Sequence, residues 1–161
     1  MRRPAAPPPS GGLPRVRAAA PFEELRDAVE AIEPRPSVYL ATLGPVARHT
    51  ARATFAANLF GAGGLATPTG DGAGGLGDAT VACICGSDRD YASGAAALAA
   101  ELRAAGAAHV WLAGTTEVEG VDGHLSAGCD AIAVLTTVLD QLDIHPVSRD
   151  EPDGVDEEVQ R

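Results

Sequence analysis

The sequence contains no lysine: all twelve of its basic residues are arginines, set against 22 acidic residues in 161. This absence excludes a lysine-based phosphate loop and a Schiff-base lysine. The net charge of −10 excludes a broad basic face for nucleic acid. Aromatic residues make up only 4% of the chain, so few rings are available for stacking on bases. We therefore expect no nucleic-acid partner.

Cysteine is also scarce, and long apolar runs are absent. Three cysteines cannot all pair, so Cys83, Cys85 and Cys129 are expected to be reduced thiols of a cytoplasmic protein. Cys83 and Cys85 would face the same side of a strand, within reach of one metal ion, but no further His or Cys pair stands at zinc spacing. We interpret them as small buried side chains. No run approaches the length of a membrane span, and the N-terminus lacks the apolar centre of a signal peptide.

The hydrophobic pattern predicts strands and helices in alternation, and the chain is long enough for one domain. Strands are predicted at Ser37–Thr42, Leu65–Thr67, Thr80–Cys85, His109–Ala113 and Gly123–Ala127. Helices are predicted at Pro21–Glu33, His49–Ala62, Tyr91–Ala105 and Ala131–Leu142. In the second helix the pattern places Ala51, Phe55, Leu59 and Ala62 on the buried face and Arg48 and Arg52 off it. In the third helix Tyr91 begins the buried face. Short connections between alternating strands and helices predict a parallel sheet covered on both faces. Five strands favour the flavodoxin-like doubly wound α/β order.

The predicted α/β domain spans residues 37–144, and a lead-in helix and linker at 21–36 precede it. Residues 1–20 are rich in proline, alanine, glycine and arginine without hydrophobic periodicity, which predicts a disordered linker. Residues 145–161 contain six acidic residues and predict a disordered acidic tail.

Candidates for chemistry are few. His49 follows the first predicted strand, where doubly wound sheets place ligands, and could be a metal ligand or an acid–base group. Because no carboxylate stands near it in sequence, a polar residue in the first helical turn is the preferred interpretation. Asp88, Arg89 and Asp90 follow the third strand and could bind a polar ligand or cap the next helix. The glycine-rich loop at 69–77 runs into a strand, so a flexible connection is favoured over a phosphate-binding loop.

The remaining candidates indicate no catalytic site. His109 and His124 flank strands and His145 precedes a proline, so all three are expected at the surface. Ser87 lies in Gly-Ser-Asp, which is not a nucleophile elbow. We therefore predict no catalytic residue and no metal site in this chain.

Four segments together resemble the carboxyl-terminal domain of the small subunit of methylmalonyl-CoA mutase. The longest reads LGPVARHTARATFAANLFGAGG at 43–64, and the others lie at 16–26, 81–88 and 128–135. In order and spacing they cover roughly residues 16–144. The resemblance implies a non-catalytic cytoplasmic chain that forms a heterodimer with the mutase large subunit. That large subunit holds adenosylcobalamin in the enzyme that interconverts methylmalonyl-CoA and succinyl-CoA.

Small subunits of this family also carry a large (β/α)₈ barrel before the resembling domain. The chain has no room for a barrel, so the resemblance implies a fragment or a stand-alone product that lacks it.

The large subunit of that family binds cobalamin through the signature Asp-x-His-x-x-Gly after the first strand of the same fold. The histidine of the signature is the lower ligand to cobalt. Counted without gaps from Gly44, the three signature positions of this chain hold Val46, Arg48 and Ala51. None of these can supply the ligand, the carboxylate behind it or the room that glycine leaves.

A register shifted by one places His49 at the ligand position, but Ala47 and Arg52 then occupy the Asp and Gly positions. The family's later Gly-Gly, which admits the nucleotide tail of the cofactor, is Gly114-Thr115 here. The resemblance therefore implies a degenerate site and a chain that binds no cofactor. The alternative is a corrinoid-binding module that retains the cofactor through His49.

Overall fold

The structure, a computed structural model, describes residues 22–145. The predicted linker at 1–20 and all of the predicted tail except His145 lie outside the described residues. The described part of the chain forms helices α1 (22–30), α2 (Val46–Ala62), α3 (Asp88–Ala105) and α4 (Ala131–Gln141). Its strands are β1 (Tyr39–Thr42), β2 (Thr69–Asp71), β3 (Val81–Cys85), β4 (His109–Ala113) and β5 (Gly123–Leu125).

The strands of residues 22–145 form one parallel sheet in the order β2-β1-β3-β4-β5. This is the flavodoxin-like doubly wound order, so the predicted fold is confirmed. The order of the strands reverses between β1 and β3, which makes that pair the topological switch point of the sheet. Thr42 and Cys85, the last residues of the two strands, are paired there.

Two apolar cores cover the two faces of the sheet. On one face, α1, α2 and α4 contribute Leu25, Val29, Ala56, Leu59, Phe60, Val134, Leu135, Val138 and Leu139. On the other face, α3 packs together with two loops, whose residues Leu76, Val118 and Val121 join its core. The strands are buried on both sides, which explains why β3 reads as a continuous apolar run.

Four helix boundaries differ from the prediction, and the smallest difference is at α4, which ends at Gln141 and not at Leu142. α1 ends at residue 30, three residues before Glu33. α2 begins at Val46, because Pro45 before it has a φ of −70° and needs no N–H partner at the open helix end. α3 begins at Asp88, because the Ser87 Oγ caps it by accepting the Asp90 backbone N–H at 3.2 Å.

The predicted second strand, at 65–67, is wrong. That segment contributes one isolated bridge, between Ala66 and Ser37, and β2 lies instead in the glycine-rich stretch. Side chains of β1 hold this stretch against the sheet: the Tyr39 hydroxyl donates to the Gly72 carbonyl at 2.7 Å and the Thr42 hydroxyl to the Gly70 carbonyl at 3.2 Å. Glycine is depleted in strands, so local propensity does not predict an edge strand here.

Residues 22–145 include no helix that is both long enough and apolar enough to cross a membrane.

The second residue after α4, Asp143, offers a stability test. Asp143 has a φ of 64°, in the left-handed region that favours glycine, and its side chain is 95% exposed. We expect Asp143→Gly to raise the free energy of unfolding by about 0.5–1 kcal/mol. Asp140→Gly removes the same charge from inside α4 and should instead lower it by about 1 kcal/mol. Urea unfolding followed by the fluorescence of the single buried tryptophan, Trp111, measures both, and a loss of stability in Asp143→Gly would contradict the prediction.

Candidate functional site

The candidate site is the carboxyl edge of the sheet, where β1, β3 and β4 end beneath the first turns of α2 and α3. Doubly wound sheets bind their ligands at this edge, beside the switch point. Two arginines of α2 and a tyrosine of α3 determine what this edge can accept.

The first arginine forms a bidentate ion pair between α2 and α3. Arg48 donates from Nε to Asp90 Oδ2 at 2.9 Å and from Nη2 to Asp90 Oδ1 at 3.1 Å. The Arg48 guanidinium, and after it the Ser87 hydroxyl, hold the pKa of Asp90 below its usual range, so the pair persists at neutral pH. The carboxylate lies against Gly44, which has a φ of 89° and where a Cβ would overlap Asp90 Oδ2. The entry to α2 is therefore packed by this pair.

The second arginine ties α2 to the ends of two strands. Arg52 Nη1 donates to the carbonyl oxygens of Gly86 and Ala113, each at 3.0 Å, and Nη2 donates to Asp88 Oδ1 at 3.2 Å. Gly86 follows β3 directly and Ala113 ends β4. One guanidinium thus bridges the carboxyl ends of neighbouring strands.

The buried face of α2 was predicted wrongly at Ala51 and Arg52. The sequence pattern predicts Ala51 on the buried face of α2 and Arg52 off it. In the structure Ala51 is exposed and Arg52 is partly buried. The buried residues of α2 include Ala56 and Phe60. Arg52 lies four and eight residues before them, and this spacing places it on the sheet-facing side. That spacing is the signal from which its position could have been predicted.

A buried tyrosine hydroxyl lies beneath Arg52. Tyr91 accepts the Gly86 backbone N–H at 2.8 Å and donates to the Ala113 carbonyl at 2.6 Å. The Arg52 Cζ atom is 5.6 Å from the centre of the Tyr91 ring. Burial raises the pKa of Tyr91 to about 12, so the hydroxyl stays protonated at neutral pH. The sequence pattern predicts Tyr91 only as a core residue and does not reveal that its hydroxyl joins the ends of β3 and β4.

His49 lies in the first turn of α2, next to this network. Its ring is half-buried, and its Nδ1 atom is buried without a hydrogen-bond partner among the described residues. A metal-ligating histidine donates from its second ring nitrogen to an acceptor that fixes its orientation. His49 has no such acceptor in the described chain. Val46, at the Asp position in the ungapped register, is 69% exposed and offers no oxygen.

Gly114 and Thr115 complete the edge. Gly114 has a φ of 141°, and a Cβ there would lie 2.7 Å from Arg52 Nη1, so this glycine makes room for the arginine. Thr115 is exposed. A cavity of about 310 Å³ remains beside them, between α2 and the ends of β4 and β5. Its lining includes the side chains of Arg52, Phe55 and Leu125.

With this geometry established, comparison with known proteins identifies the relatives of the chain. The chain is 50% identical over 156 residues to the methylmalonyl-CoA mutase small subunit of Streptomyces virginiae, which covers 89% of the chain and 25% of that protein. The chain is homologous to methylmalonyl-CoA mutase small subunits. The resemblance predicted from the sequence is thereby confirmed. No protein-family model matches the chain.

Two further small-subunit relatives support the same homology. The probable methylmalonyl-CoA mutase small subunit of Mycobacterium tuberculosis (strain ATCC 25618 / H37Rv) is 36% identical over 160 residues, covering 88% of the chain and 26% of that protein. The methylmalonyl-CoA mutase small subunit of Propionibacterium freudenreichii subsp. shermanii is 32% identical over 156 residues, covering 86% of the chain and 24% of that protein. The chain spans about a quarter of the length of the curated relatives it matches.

The remaining candidate residues from the sequence, three histidines and the segment at 88–90, do not form one cluster among the described residues. His124 lies in β5 with Nε2 2.8 Å from the Thr116 carbonyl oxygen, and His109 begins β4. His109 and His124 are partly exposed, and His145 is exposed. Arg89 is exposed in the first turn of α3, and Asp88 accepts hydrogen bonds from Arg52 and Thr116.

The cysteines of β3 are buried in the core shared with α2 and α4. Cys83 and Cys85 lie on the same face, as the strand period predicts. Burial raises the pKa of the Cys83 thiol well above its usual value. Within residues 22–145, no three His, Cys, Asp or Glu side chains group closely enough to hold a metal ion.

Proposed function

We propose that the chain is a non-catalytic domain of a methylmalonyl-CoA mutase small subunit and acts in assembly with the large subunit of that adenosylcobalamin-dependent isomerase. Identity of 50% to a curated small subunit supports the family part of the proposal. The observation that carries the non-catalytic part is Arg52, which bridges the ends of β3 and β4 where a cofactor-binding relative would need open space.

The residues at the carboxyl edge do not fit a corrinoid. A lower ligand needs an oriented imidazole, and the buried Nδ1 of His49 has no acceptor in the described chain. A nucleotide tail needs a slot past Gly114, and the Arg52 guanidinium lies 2.7 Å from where a Cβ would stand on that glycine. We therefore propose that adenosylcobalamin is held by the partner large subunit and not by this chain. Corrinoid binding through His49 is the alternative.

Co-expression with the methylmalonyl-CoA mutase large subunit of the same organism tests the assembly. We expect the chain to be captured together with an affinity-tagged large subunit. The two should then elute together in equimolar amount on gel filtration in 0.15 M salt. An untagged flavodoxin-like domain of similar size and acidity, co-expressed in place of the chain, serves as the matched control and should not be retained. Elution of the large subunit free of the chain would contradict the proposal.

A further inference from the structure

A groove lies between α1 and the carboxyl end of α4, on the side of the molecule away from the candidate site. It has a volume of about 470 Å³. Its floor is apolar, formed by Ala28, Ile32 and Ile144. Ile32 is 37% exposed, so an apolar side chain in this floor is open to an occupant.

The rim of this groove is acidic. Glu24 and Asp27 line it from α1, and Asp143 lines it from the residues after α4. His145 also lines it, with Nε2 3.3 Å from Asp143 Oδ1. An apolar floor with an acidic rim selects an occupant that combines apolar and basic side chains.

The sequence before α1 has this chemistry. Residues 1–20 contain arginines and no acidic residue, and Arg15 and Arg17 flank the apolar Val16. Residues 146–161 contain six acidic residues and two arginines, so the acidic rim would repel this net negative segment. A second copy of the chain would bring a like-charged rim against this one. Charge complementarity therefore favours the segment at 13–20 over the other candidates.

The length of chain also permits this arrangement. Ile32 lies two residues after the end of α1, so about 12 Å of helix and a short turn separate it from the start of α1. The five residues at 16–20 span about 17 Å when extended, so Val16 can return along α1 as far as Ile32.

We propose that residues 13–20 dock in the groove between α1 and α4, with Val16 against the apolar floor and Arg15 and Arg17 against the acidic rim. The groove is then an internal docking site that fixes how the chain preceding this domain leaves it. The proposal does not depend on the mutase assignment, because it rests on the groove and on charges of the same chain.

Alkylation of a thiol placed in the groove tests the docking in the full chain. Ala28→Cys keeps the side chain small, and Cys129→Ser removes the partly exposed native thiol in every variant. With neutral N-ethylmaleimide, we expect Cys at position 28 to react about tenfold faster when Arg15→Glu and Arg17→Glu are introduced, because both ion pairs become repulsions. Trp111 fluorescence verifies that each variant is folded.

Matched variants separate docking from general charge effects. Arg2→Glu with Arg3→Glu changes the net charge equally outside the proposed segment and should leave the rate unchanged. A thiol at Ala100, exposed on α3 across the sheet, should react equally fast in all variants. Equal rates with and without the Arg15 and Arg17 changes overturn the proposal. Alkylation that becomes faster only when residues 146–161 are deleted would assign the groove to that segment and overturn the proposal. An alkylation rate that falls as protein concentration rises would assign the groove to a second copy of the chain and overturn it as well.

Discussion

Replacing Arg52 with alanine is expected to lower the free energy of unfolding by about 2–3 kcal/mol. The guanidinium donates to two backbone carbonyls at the ends of β3 and β4, and its side chain is only 33% exposed. Alanine leaves the Gly86 carbonyl short of a donor and separates α2 from the sheet at this point. Urea unfolding followed by Trp111 fluorescence gives the change directly.

Two comparison variants make the Arg52 result specific. Arg52→Lys keeps the charge but cannot donate to both carbonyls in the fixed geometry of a guanidinium, so it should recover only part of the loss. Arg48→Ala removes a more exposed arginine one turn earlier and should destabilise the chain less, because Asp90 keeps its hydrogen bond from Ser87. Equal losses for Arg48→Ala and Arg52→Ala would contradict the bridging role of Arg52.

Replacing Tyr91 with phenylalanine is the second large effect that we expect, a loss of about 2 kcal/mol. The change removes the acceptor of the Gly86 backbone N–H and leaves that donor buried without a partner. The Ala113 carbonyl keeps its hydrogen bond from Arg52, so the N–H accounts for most of the cost. Tyr39→Phe removes a hydroxyl that only donates to a carbonyl of the edge strand and should cost less.

Tyr91 also predicts how stability depends on alkaline pH. Its pKa is about 12 in the folded chain, raised mainly by burial from an ordinary value of 10.0. Because the unfolded chain releases this proton first, the contribution of Tyr91 is complete below pH 10 and is lost as pH rises towards 12. Tyr91→Phe should lack that part of the decline, whereas Tyr39→Phe should keep it. Urea midpoints at pH 8, 10 and 11 measure the difference, and identical profiles for the wild type and Tyr91→Phe would contradict the prediction.

Local pattern was enough to predict most of the fold. Continuous apolar runs such as β3 and amphipathic helices such as α4 arise from burial that the sequence itself encodes. Strand β2 could not be predicted in this way, because two of its three residues, Gly70 and Asp71, belong to types depleted in strands. The hydroxyls of Tyr39 and Thr42 hold this stretch against the sheet. Pairing with β1 is a tertiary effect that overrides propensity.

The candidate site was predicted in part. The placement of His49 after the first strand was predicted from the strand-to-helix turn, and Val46, Arg48 and Ala51 were predicted from the family signature counted from Gly44. The partners of Arg48 and Arg52 were not, because Asp90, Gly86 and Ala113 are 34–61 residues away and meet them only through the parallel pairing of the strands.

Titration of the full chain with adenosylcobalamin, followed by absorbance, tests most directly whether this carboxyl edge has lost its cofactor site. We predict that the spectrum stays that of free cofactor in both the wild type and His49→Ala, since Arg52 bridges the ends of β3 and β4 and His49 lacks an orienting acceptor. A base-off, histidine-ligated spectrum in the wild type that disappears in His49→Ala would contradict the account.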